Sequence, residues 1–180
     1  MKITNIFDAV RDGSYKDFMD FYSGDANLVS ENLRLSLLGL SVVNNKNPDE
    51  KLKIVHFLIS EVADVNFTNV KENRNALHIF YLNVLRPDPD YMLEITKLLV
   101  ENGININGKD KYNAIPLKYA ITIVKLPTQS IKPVYQYLIA QGAKYNDKDK
   151  FGKSCVDYAN EYSWRKDVVG IIKEFEDGNK

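Results

Sequence analysis

One block of sequence recurs along this chain every 39 to 41 residues, and nothing else limits its fold as tightly. Leu37, Leu77, Leu117 and Val156 read as one position, 40, 40 and 39 residues apart. Asn66, Asn107 and Asn146 keep the same beat, at 41 and 39. A fixed period of this length means stacked supersecondary units, each too small to bury its own apolar face. Such a stack presents an extended surface, which weights function toward binding.

Composition narrows the class further. The 180 residues suffice for one domain or one short array. Hydrophobic content of 44% and charged content of 27% are those of an ordinary folded protein. Lys plus Arg and Asp plus Glu stand at 24 each, so there is no basic excess of the kind that nucleic-acid or anionic-membrane binders carry. Segregation of charge by face is not visible in a sum. A single cysteine, Cys155, leaves no intrachain disulfide and no thiolate cluster for zinc. Asp8, Arg11 and Asp12 interrupt the N-terminus where a signal peptide needs an apolar run. No apolar stretch reaches the roughly 20 residues of a membrane span. The expectation is a soluble, cytoplasmic protein.

Laid under one another, the segments LSLLGL (35–40), NALHIF (75–80), IPLKYA (115–120) and SCVDYA (154–159) each open a short apolar helix. A second helix follows in IVHFLISEVADVN (54–66), EITKLLVENGININ (94–107) and PVYQYLIAQGAKYN (133–146). There Ile95, Leu98 and Leu99, and likewise Val134, Tyr137 and Leu138, share one helix face. Phe18, Phe21, Phe57, Tyr119 and Tyr137 read as core between units.

These units resemble ankyrin repeats. The family pattern is T-P-L-H-x-A for the first helix and a second helix closing on Gly-Ala-Asp-Val-Asn. Pro116, Leu117 and Ala120 keep the first signature, as do Leu77 and His78. Gly103 to Asn107 and Gly142 to Asn146 keep the second. Pro116 suits a first helical turn, where its missing N–H costs nothing. Gly103 and Gly142 suit left-handed helix terminators. Asn107 and Asn146 suit turns in which a short amide bonds local backbone. GKDKYN (108–113) and DKDKFG (147–152) then read as hairpin-like fingers, which the family sets at a right angle to the helix pairs. The resemblance implies an all-α ankyrin-repeat solenoid of about five helix-turn-helix units over one domain, 1–180. Its units are an N-terminal capping repeat at 4–30, repeats at 31–70, 71–110 and 111–149, and a C-terminal capping repeat at 150–180.

The middle units run longer than the family's usual 33 residues. The excess falls in NNKNPDEK (44–51), LRPDPDYM (85–92) and KLPTQSIK (125–132), polar and Pro-containing stretches that read as loops dispensable for folding. NEYSWRKD (160–167) lacks the insertion, and a helix over 168–175 is expected to end in a charged tail, EDGNK.

Chemistry is sparse. His78 holds the position where the family uses imidazole to bond loop backbone, and His56 has no ligand-spaced partners. Cys155 has no base in its unit and reads as a small packing residue. No phosphate loop, dinucleotide fingerprint or zinc-protease motif is present. The aspartates of the fingers lack the EF-hand pattern and read as turn formers. No enzyme activity, cofactor or metal is expected.

The resemblance implies a binding module whose groove floor is the first helices and whose wall is the fingers. Candidate contact residues carried over from the family's variable positions are Lys71, Glu72 and Arg74; Lys109, Lys111 and Tyr112; and Lys148, Lys150, Phe151 and Lys153. From the first helices come Tyr81, Thr122, Glu161 and Tyr162. Tyr112 and Phe151 stand at equivalent places, either as anchors for a partner or folded onto each other's finger. Alternating Lys and Asp suits a partner of mixed charge. Richness in Asn, Lys, Ile and Tyr looks like an AT-rich bacterial genome. The chain is similar to small stand-alone bacterial ankyrin-repeat proteins, some of them immunity proteins that neutralise a cognate toxin. That likeness makes the partner another protein, such as a toxin domain, bound by a monomer. A host-directed adaptor or effector, or an enzyme with a groove-lined site, is the alternative.

Overall fold

The repeat seen in sequence is a stack of helix pairs in space. A computed structural model describes residues 2–178. The pairs are α1 (Ile6–Asp12) with α2 (Tyr15–Phe21), α3 (Leu37–Ser41) with α4 (Pro48–Ser60), and α5 (Ala76–Asn83) with α6 (Pro89–Glu101). Then come α7 (Pro116–Thr122) with α8 (Lys132–Ala140), and α9 (Cys155–Glu161) with α10 (Lys166–Gly178). First helices pack in the order α1, α3, α5, α7, α9, and second helices in the order α2, α4, α6, α8, α10. Among the described residues there is no strand, only an isolated bridge between Val29 and Ser36. The fold is an all-α, ankyrin-like solenoid. No helix among the described residues is long and apolar enough to cross a membrane.

Local chemistry starts and stops each helix. Ser14 with Asp17, Asn75 with His78, and Ser154 with Asp157 form reciprocal capping boxes, and Ser36 caps α3. Pro opens α4, α6 and α7, where an unpaired N–H is lost anyway. Three second helices end alike: Ala63, Ile104 and Ala143 donate to the carbonyls of Leu58, Leu99 and Leu138, five residues back. The residue before each donor has positive φ: Val62 at 60°, Gly103 at 87° and Gly142 at 86°.

Aligning the N-caps Ser36, Asn75, Ile115 and Ser154 corrects the register in one unit. Leu38, not Leu37, stands with Leu77, Leu117 and Val156. Two adjacent leucines, 0% and 1% exposed, make the slip invisible to a pattern. Leu77 and Leu117 are buried as expected, whereas Phe21 is 41% exposed and lies outside the core. α10 continues through Gly178, so Glu176, Asp177 and Gly178 are helical rather than tail. Asn179 and Lys180 lie outside the described residues.

The insertions are not free loops. Their second halves are helix: α4 and α6 start inside them, and a 3₁₀ turn, Thr128–Ile131, leads into α8. Val84, Val124 and Ile131 are at most 2% exposed. Successive insertions also touch. Asn45 Nδ2 donates to the Arg86 carbonyl (3.1 Å), and the Lys125 N–H donates to that of Leu85 (2.6 Å). The short linker of the fifth unit joins the row through Arg165, which is fully buried. Its guanidinium donates to the carbonyls of Ile121 (2.8 Å), Leu126 (2.8 Å) and Val124. Lys51 plays a matching part at the other end, its buried ammonium donating to the carbonyls of Val10 (2.5 Å) and Arg11 (2.6 Å) at the close of α1. Burial pushes its pKa down to about 8.

Three of the asparagines on this beat, Asn27, Asn66 and Asn107, join units rather than turning the chain locally. Asn66 Nδ2 donates to the Gly103 carbonyl (2.9 Å) while its Oδ1 accepts from the Asn105 N–H (2.8 Å). Asn107 does the same to Gly142 (3.0 Å) and Lys144 (2.8 Å). Asn27 does it to Val62 (3.3 Å) and Asp64 (2.7 Å). Each amide clips one unit to the next.

Candidate functional site

Four tight fingers, 30–35, 69–74, 110–114 and 149–153, precede α3, α5, α7 and α9. Each is closed at its base by a backbone bond from its first N–H to its last carbonyl: Ser30 to Leu35 (2.9 Å), Asn69 to Arg74 (3.1 Å), Asp110 to Ala114 (3.0 Å) and Asp149 to Lys153 (3.0 Å). Each tip contains one residue of positive φ: Arg34, Asn73, Asn113 or Gly152. The third and fourth fingers are braced from inside. Asp110 Oδ1 accepts from the N–H groups of Tyr112 (2.8 Å) and Ala114 (3.1 Å), and its Oδ2 from the hydroxyl of Tyr119 (2.5 Å). Burial alone would raise its pKa. The hydrogen bonds from Tyr119, Ala114 and Tyr112 outweigh burial and hold the carboxyl below the usual range. Asp149 repeats the arrangement with Phe151 (2.8 Å), Lys153 (3.2 Å) and Tyr158 (2.7 Å).

The fingers are joined into a wall. The Lys111 N–H donates to the Glu72 carbonyl (2.9 Å), and the Lys150 N–H to that of Tyr112 (2.8 Å). His78 ties finger to helix. Its Nε2 lies 3.0 Å from the Ala114 carbonyl, so that nitrogen carries the proton, and Nδ1 accepts from the Asn75 N–H (3.3 Å). Burial pushes its pKa down to about 4. Cys155 is buried, its thiol pushed up to about 12, which suits packing and not nucleophilic chemistry. Among the described residues no group of His, Cys, Asp and Glu is arranged to hold a metal ion.

The candidate contact residues divide into four sets: exposed lysines, ion-paired side chains, packed aromatics and buried residues. Lys71 and Lys150 are exposed on the fingers, and Lys148 is exposed immediately before the last one. Several others are committed to one another: Glu72 to Lys111 (2.7 Å) and Arg74 (3.4 Å), Arg74 to Asp110 (3.3 Å), Lys109 to Asp147 (3.0 Å), and Lys153 to Glu161 (2.7 Å). Tyr162 packs beside Trp164, ring centroids 5.8 Å apart. Tyr112 and Phe151 stack with centroids 6.0 Å apart and planes at 27°, Tyr112 half-buried and Phe151 63% exposed. They stand side by side and also pack on each other.

Two residues are corrected. Tyr81 is fully buried with its hydroxyl 2.7 Å from that of Thr96, because α5 is enclosed by α3, α6 and α7. Thr122 is 9% exposed, and its hydroxyl donates to the Lys118 carbonyl one turn back (2.9 Å). Neither is a contact residue.

Pattern reading missed Leu33 and Lys118. Leu33, 46% exposed at the first finger, borders a recess of about 340 Å³ lined also by Leu35, Val43, Ile79, Leu82 and Arg74. It precedes a positive-φ residue, as Tyr112 and Phe151 do, and lies two periods of the 39- to 41-residue beat before Tyr112. Lys118 lies between the rings of Tyr119 (4.6 Å) and Tyr158 (5.1 Å) on the groove floor.

No known family profile matches the chain. A stretch of 63 residues, 35% of the chain, is 36% identical to an ankyrin repeat protein of Acanthamoeba polyphaga mimivirus. The chain spans 8% of that protein's length. The likeness supports ankyrin-like repeats and carries nothing about the rest of the viral protein.

Proposed function

We propose that the chain is a non-catalytic protein-interaction module that engages its partner through the finger wall and the adjoining groove. One observation carries this reading: Phe151 is 63% exposed at the tip of a finger held by Asp149 and by the neighbouring finger. A large apolar side chain presented on rigid backbone loses little freedom on binding, the profile of an interface anchor. Ankyrin repeats bind proteins in general, which favours the same reading. Neutralisation of a cognate toxin is the narrower form, supported by resemblance to bacterial immunity proteins.

A photo-reactive residue placed at 151 tests the site, with one at His56, exposed on α4, as control. The same partner protein should be cross-linked in stoichiometric yield from 151 and not from 56. Equal labelling from both places, or none from 151, would move the site off the fingers. For the immunity form, the cross-linked protein should be a toxin whose activity the chain abolishes.

A further inference from the structure

The fingers alternate Lys with Asp in sequence, but folding separates the two charges. Asp110 and Asp149 turn inward, 2% and 9% exposed, and spend their oxygens on backbone N–H groups and tyrosine hydroxyls. The lysines stay outside. Lys109 and Lys111 are held by Asp147 and Glu72. Lys148 and Lys150 are exposed, and among the described residues neither has a carboxylate within ion-pair distance. They precede Phe151, itself exposed, by three residues and one residue in the chain. A chain of zero net charge thus presents a cationic, apolar tip at its last finger.

Building on the reading of the fingers as a protein-binding site, we propose that this tip recognises an acidic protein segment carrying an apolar side chain between its carboxylates. The apolar side chain packs on the outer face of Phe151, whose other face is backed by Tyr112. The carboxylates meet Lys148 and Lys150. The rings supply the anchor, and the lysines supply orientation and rate, so attraction falls with salt. A partner of mixed charge, which the sequence alternation suggests, finds near this tip, among the described residues, one exposed carboxylate outside any ion pair, Asp157, and that one is held by the Ser154 N–H and hydroxyl (2.8 Å each).

The test is a backbone-amide NMR titration of the whole chain with three probes. These are a synthetic peptide of glutamates around a central Leu-Leu pair, its lysine counterpart, and oligouridylate. The glutamate peptide should shift the amides of Tyr112, Lys148, Lys150 and Phe151, and less so at high salt. Lys148→Glu with Lys150→Glu should weaken binding about tenfold or more. Phe151→Ala should abolish it and Phe151→Leu restore part of it, with thermal melting as the folding control. The lysine peptide should shift none of these amides. Shifts elsewhere, shifts equal for both peptides, or none at millimolar peptide would overturn the proposal. So would stronger shifts with oligouridylate, which would make the tip a nucleic-acid surface. A captured natural partner separates the two readings. If Tyr112→Ala with Phe151→Ala loses that partner while the double glutamate variant keeps full affinity, the finger site stands and the acidic partner is wrong.

Discussion

Val62 holds a backbone conformation that its own side chain opposes. It terminates α4 at φ 60°, where α6 and α8 use Gly103 and Gly142. A β-branched residue in the left-handed region costs about 1–2 kcal/mol. Its side chain is 81% exposed and recovers little by packing. Val62→Gly should therefore stabilise the fold by about 1 kcal/mol after glycine's extra unfolded-state entropy, and Gly103→Val should destabilise it by a similar amount. Urea midpoints check both. His78 gives the second prediction at this scale. Its folded pKa, about 4, lies below the ordinary 6.5 because burial disfavours the charged ring. Above 6.5 both states are neutral. Below it the unfolded chain binds a proton that the folded chain refuses, so this contribution to stability is lost as pH falls from 6.5 to 4. The slope is about 1.4 kcal/mol per pH unit, near 3 kcal/mol in all. Urea unfolding between pH 7 and pH 5 should show it, and His78→Gln should remove the pH dependence along with some stability. A flat profile in the native chain would mean that the imidazole is not buried as described.

Among the elements, the insertions and the asparagine clips decide how firmly units adhere. Residues 45–49 supply the Asn45 bond to the Arg86 carbonyl and the first turn of α4. Deleting them should lower stability by at least about 2 kcal/mol and broaden the unfolding transition, read by circular dichroism in urea. Unchanged cooperativity would return them to the status of loops. Composition misled here for a physical reason. Asn, Lys, Pro and Asp dominate the insertions, yet the few apolar residues among or beside them, Val84, Val124 and Ile131, carry the packing. The clips were legible as a period and not as a contact, because a side-chain amide bonds nearby backbone as readily as a neighbour's. Gly103, Gly142 and Pro116 were legible in both identity and role, since each answers a local backbone demand, and His78 through the resemblance, since its bond to the Ala114 carbonyl spans 36 residues. Tyr81 was not. α5 is apolar on nearly every face, from Ala76 to Tyr81, so the pattern does not say which face turns to the groove and which to the next helix.

At the scale of the whole molecule, every unit packs on its sequence neighbours, so damage at a shared core position should spread along the stack. Leu117→Ala, at 1% exposure between α5 and α9, should cost about 2–5 kcal/mol. Leu38→Ala should fall in the same range, since Leu38 holds the equivalent place. The finger wall was legible in outline: Asp, Lys, then an aromatic, at a 39-residue spacing. Its polarity was not, because sequence does not say that Asp110 and Asp149 are consumed inside while Lys148 and Lys150 stay exposed outside. The finger site is tested most directly by the dissociation constant of the captured partner for the native chain and for Tyr112→Ala with Phe151→Ala, measured by calorimetry. Two anchors at about 2 kcal/mol each predict a loss near a thousandfold, with helical content unchanged by circular dichroism. An unchanged dissociation constant in a folded double variant would contradict it.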